Sequence, residues 1–162
     1  MKFLRSFTTA LLLLGALGTS LSAQAQLRLT RPDGQAVTLS AEQLAALPRE
    51  TVRAEAHGQT LTVQATPLAA VLRAGGIAPP EKVHGAALRQ VLLATAADGY
   101  AVSFAWGELD PALGGRQVYL VQNGAGAELK DGEGPLRLVV PADARPARWV
   151  RQLQGLTLIS PP

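Results

Sequence analysis

An α+β domain, with a mainly antiparallel, mixed β-sheet and short helices, is predicted by three features of the 162-residue sequence. Strand-like segments outnumber helical ones. Most neighbouring segments are joined by tight turn signals such as Pro32-Asp33-Gly34, His57-Gly58-Gln59 and Asp98-Gly99, which favour hairpins over long crossovers. The spacing of a nucleotide-binding sheet is missing, and Gly114-Gly115 lacks the remaining positions of a phosphate-binding glycine loop.

Each element follows from its own residues. Leu27 to Thr30 and Val37 to Leu39 alternate around the Pro-Asp-Gly triplet and read as a first hairpin. Ser40-Ala41-Glu42-Gln43 forms a capping box ahead of a short helix through Leu44 and Leu47, stopped by Pro48. Thr51 to Ala56 and Thr60 to Ala65 make a second hairpin with His57 at its tip. Thr66 is expected to cap the next helix, with Pro67 in its first position, Leu68, Val71 and Leu72 on its apolar face and Gly75-Gly76 at its end. After a loop containing Pro79-Pro80 and His84, strands are expected over Leu88 to Thr95 and Tyr100 to Ala105.

A helical segment then spans Trp106 to Leu113, and Gln117 to Gln122 is a strand. The Gly-rich, polar stretch Asn123 to Gly134 is a surface loop. Leu136 to Val140 is a β-branched strand closed by Pro141, a helical turn is expected in Ala147 to Gln152, and Leu156 to Ile159 is the last strand.

Composition removes whole classes of function. The chain has no cysteine, which excludes disulfides, thiolate metal sites, Fe–S clusters and cysteine nucleophiles. The formal charge is +3, but Lys2 and Arg5 lie in an N-terminal segment built like an export signal. That segment has a basic start, an apolar stretch from Leu11 to Leu17 and the small-x-small site Ala23-Gln24-Ala25. Residues 1–25 therefore read as a signal peptide cleaved before Gln26, and residues 26–162 as one domain, periplasmic or secreted. The part that remains carries +1, too little to draw in nucleic acid, and no later stretch is apolar enough to span a bilayer. A single Arg at the start, with no Arg-Arg pair, points to the general export route, which threads an unfolded chain.

Chemistry-bearing residues are few. His57, at a hairpin tip, and His84, in a Pro-flanked loop, have no partner at metal-ligand spacing, so no site is expected in which the protein alone holds a metal. Asp98, Glu108 and Asp110 are the nearest approach to an acidic group, and the turn and the first helical turn already account for the first two. The unusual local feature is Arg137, Arg145, Arg148 and Arg151, opposed nearby only by Asp143. Guanidiniums grouped in this way suit a phosphate, sulfate or carboxylate. The plainer reading is a solvated face with Arg137 paired to Glu133 and Arg145 to Asp143. Trp149 falls in an apolar pattern with Val150 and Leu153 and reads as a core anchor.

The segments TLSAEQLAALPRETVRAEA, TPLAAVLRAGGI, ATAADGYAVSF, ELDPALGG, GPLRLVVP and ARWVRQLQGLTL resemble, in order and spacing, the oxidoreductase molybdopterin-binding domain, the sulfite-oxidase-like fold. The resemblance covers about residues 27 to 159 and is most specific at Gly134 to Pro141 and Ala147 to Arg151. It implies a pocket for a pterin and its phosphate, with Arg148 and Arg151 on the cofactor side and Arg137 lining the pocket. Two departures accompany it. The family ligates molybdenum through a cysteine after the strand matching Val52 to Ala56, where this chain has Glu55-Ala56-His57-Gly58 and only His57 as a substitute, a poor exchange for a soft donor. Periplasmic molybdenum enzymes also generally travel folded, on an Arg-Arg signal. The expectation is an exported domain that binds an anionic small molecule, or a periplasmic partner protein, without cysteine-ligated molybdenum. The alternative is an oxidoreductase that holds molybdopterin through pterin and phosphate contacts alone.

Overall fold

The computed structural model describes residues 25–161. The signal segment up to residue 24 lies outside the described residues. Two sheets form the framework. The first has five strands in the order β2 (Ala36–Leu39), β1 (Leu27–Thr30), β9 (Leu153–Ile159), β5 (Val91–Ala96), β6 (Ala101–Ala105). The second has four, in the order β3 (Glu50–Ala56), β4 (Gln59–Pro67), β7 (Tyr119–Gln122), β8 (Leu136–Val139). The fold class is α+β with a mainly antiparallel, mixed arrangement, and the one parallel pair among the described residues is β1 with β9.

Local chemistry explains most boundaries. Ser40 and Gln43 close the expected capping box: the Gln43 amide donates to Ser40 Oγ, and the Ser40 amide donates to Gln43 Oε1. Helix α1 (Ala41–Ala45) follows and buries Leu44. In the β3–β4 hairpin Ala56 pairs with Gln59, leaving His57 and Gly58 as a two-residue turn with φ of 53° and 72°, the left-handed pair that matches strand twist. Helix α2 (Leu68–Ala74) ends at Gly75 and Gly76 as expected. It does not begin as expected. Thr66 is buried and paired with Leu120 in the sheet, so β4 runs on to Pro67, which itself stands at the N-cap without a side-chain bond. The backbone demand of β7 outweighs the local capping signal.

The core lies between the sheets. Leu27, Leu29, Leu39, Leu92, Ala94, Phe104, Leu156 and Leu158 face it from the first sheet, while β7 and β8 are buried along their whole length. Leu29 and Phe104 are fully buried, and each such side chain contributes roughly 1.5–3 kcal/mol of transfer free energy. Alternation leaves the other face of the five-stranded sheet open, and that face positions the site described next.

Candidate functional site

The four C-terminal arginines do not act as one receptor. Arg148 closes a short 3₁₀ turn, Pro146–Arg148, and all three nitrogens of its guanidinium are engaged. Nε and Nη2 donate to the Asp143 carboxylate at 2.8 and 2.7 Å, and Nη1 donates to Glu108 Oε1 at 3.0 Å. Its carbon lies 4.8 Å from the centre of the Phe104 ring. Arg116 reaches the same two carboxylates at 3.5 and 3.9 Å. Asp143, followed by Glu108, holds the Arg148 pKa above its ordinary value, so two cations and two anions close a neutral clasp. Glu108 is fixed in turn, because Oε1 also accepts the Ala105 amide at 3.0 Å.

Arg137 is buried, pairs with Glu133 at 2.8 Å and lies 5.4 Å from the Trp149 ring centre. The Arg137–Glu133 pairing is therefore the plainer of the two readings above, whereas Asp143 takes Arg148 and Arg116 in place of Arg145. Trp149 is buried and donates Nε1–H to the Val140 carbonyl at 3.0 Å, a core anchor. Arg151 is exposed and lines a hollow of about 260 Å³ with Tyr100, Trp149 and Asp98. His57 sits exposed on its hairpin turn, and His84 is exposed with Nδ1 against the Lys82 carbonyl.

The acidic candidates are also accounted for by backbone contacts. Asp98 accepts the Tyr100 amide across its turn. Asp110, 1% exposed, accepts the amides of Val83 and Ala112 and pins the Pro79-Pro80 loop.

A broad concavity lies elsewhere, on the open face of the five-stranded sheet, with a volume of about 780 Å³. Register builds it. Thr38, Arg28, Gly155 and Thr95 form one row across β2, β1, β9 and β5, and Thr30 sits beside Thr157 in the next. Gly155 makes the floor low: a Cβ there would stand 2.8 Å from Thr95 Oγ1. Pro135 and Gln152 also line the concavity. Among the described residues Arg28 is the only charged one lining the groove, and its side chain makes no ion pair or hydrogen bond with them. The sequence reading missed it. Its signal was available only as a polar position alternating with Leu27 and Leu29.

The residues carried over from the resemblance do not fit a molybdopterin cradle. Two of the three guanidiniums assigned to the cofactor are neutralised by carboxylates that would repel its phosphate. His57 is an exposed turn residue, and among the described residues no group of three or more His, Cys, Asp or Glu is placed to hold a metal. Of the three assigned guanidiniums, only Arg151 has no carboxylate partner among the described residues.

No protein-family model matches the chain, and no curated protein matches it significantly. Among solved structures it is similar to the sulfane dehydrogenase SoxCD from Paracoccus pantotrophus, with a TM-score of 0.61 and 20% identity. The match covers 84% of this chain and 38% of that one, so the chain spans well under half the length of the neighbour. At that identity the likeness shows a shared fold alone, and the α+β class expected from the sequence is the class observed.

Proposed function

We propose that this chain is an exported binding domain, periplasmic or secreted, that takes up an anionic small molecule without redox turnover and holds it in the open-sheet groove through Arg28. One observation carries the reading: among the described residues the Arg28 guanidinium has no partner and no acid lines its concavity. An anion reaching it gains a charge-assisted hydrogen bond of about 1.5–3 kcal/mol, discounted for the open, solvated setting. Isothermal titration with sodium sulfate or acetate at low ionic strength tests this. The wild type binds, and Arg28→Gln loses about tenfold in affinity, since 1.4 kcal/mol is one decade. Equal affinity in both proteins contradicts it. Export is checked by the mass of the protein recovered from periplasm or medium, which begins at Gln26 if the signal is cleaved there.

The likeness to the sulfane dehydrogenase favours a second reading, a domain that holds molybdopterin through pterin and phosphate contacts. The paired states of Arg137 and Arg148 weigh against it. Molybdenum and pterin near one per chain in protein from its native compartment would establish it and overturn the first.

A further inference from the structure

We infer that the molecule held in the groove is a polyhydroxylated monoanion of sugar-acid type, a deduction that rests on the Arg28 reading. Three properties of the lining lead there. First, the sheet face offers hydroxyls instead of charges: Thr30, Thr38, Thr95 and Thr157 converge on the groove, and the carboxamides of Gln152 and Gln154 join them. Threonine hydroxyls and carboxamides each both donate and accept, which suits a ligand whose own groups do the same. Second, the single guanidinium sets the charge at one, because a second acidic group would find no cation among the lining residues. Third, among the described residues no aromatic side chain lines the groove, so a flat heteroaromatic ring has nothing there to stack on. Instead Pro135 supplies a small aliphatic surface for the C–H face of a saturated ring.

The geometry also says where the ligand lies. Gly155 sits between Arg28 on β1 and Thr95 on β5, so the absent Cβ leaves room for a ring over β9. The carboxylate then meets Arg28, and the hydroxyls run along β9 towards Thr157 and Thr30. A volume of about 780 Å³ lies within the ordinary range of small-molecule sites.

The test is titration calorimetry on the purified chain with sodium D-glucuronate, sodium acetate and D-glucose. Glucuronate is expected to bind about tenfold or more tightly than either comparison compound, each decade being 1.4 kcal/mol. Thr157→Val and Thr30→Val, which keep side-chain shape, are expected to weaken glucuronate severalfold and to reduce its margin over acetate. Glucuronate binding no more tightly than acetate, while Arg28→Gln still abolishes acetate binding, overturns the sugar-acid inference and leaves the anion site standing. Arg28→Gln without effect on any of the three removes both. If the valine variants lose acetate and glucuronate equally, the hydroxyls shape the fold and not the ligand, which also overturns the inference.

Discussion

Arg148 and Arg28 are the same residue in opposite circumstances. Arg148 has a carboxylate on each side and an aromatic ring against its face, whereas Arg28 stands among hydroxyls and carboxamides with no acid lining its groove. A guanidinium saturated by its own protein braces structure, because displacing its partners strands charges that are only partly solvated. One left open is available to a ligand. Sequence clustering pointed at the first kind, and spatial isolation marks the second.

The largest expected effect lies in the clasp. Arg148→Ala leaves Asp143 and Glu108, whose side chains are 13% and 27% exposed, with the longer contacts of Arg116 alone, and is expected to lower unfolding free energy by about 2 kcal/mol. Chemical denaturation measures this, and anion affinity of the folded variant stays unchanged. A loss of binding with unchanged stability would reverse the two roles. Gly114→Ala comes next, because its Cβ would lie 2.5 Å from Glu108 Cα, a backbone atom that cannot swing aside. About 2 kcal/mol of destabilisation is expected.

Gly155→Ala is the matching change in the groove. Its Cβ comes too close only to the Thr95 hydroxyl, which can rotate, and the Arg28 carbonyl at 3.8 Å is an ordinary contact, so stability should fall by less than about 1 kcal/mol while glucuronate binding weakens. Comparable destabilisation by the two alanines would erase the distinction between a braced loop and an open floor.

The smallest effect belongs to neither region and serves as a control. Burial pushes the Tyr119 phenol up to about 12 from its ordinary 10, with Glu50 adding to the shift. The folded state therefore favours the neutral phenol. Its contribution to stability is complete below pH 10 and is lost as pH rises through about 12. Tyr119→Phe should flatten that alkaline decline in a melting series and leave both arginine regions as they were.

The fold was legible wherever local chemistry decides it. The Ser40–Gln43 box, the His57-Gly58 turn and the Gly75-Gly76 stop each act within a few residues, and each is found where the sequence put it. What long-range pairing decides was not legible. Thr66 looks like a cap and is a strand residue because β7 arrives from later in the chain. The division into two sheets depends on β9, the last strand, inserting between β1 and β5. The groove was hidden for the same reason: Arg28 meets Gly155 and Thr95 only through that insertion. Arg137, Arg148 and Arg151 drew notice by adjacency, yet Glu108, a principal partner of Arg148, comes from a different segment.

The contrast between the two arginines can be read in one titration. In ¹H–¹⁵N spectra that resolve the arginine Nε–Hε groups, stepwise addition of sodium sulfate should move Arg28 Hε along a saturable curve while Arg148 and Arg137 stay in place. Saturable movement of Arg148 or Arg137, with Arg28 unmoved, would contradict the assignment of clasp and groove.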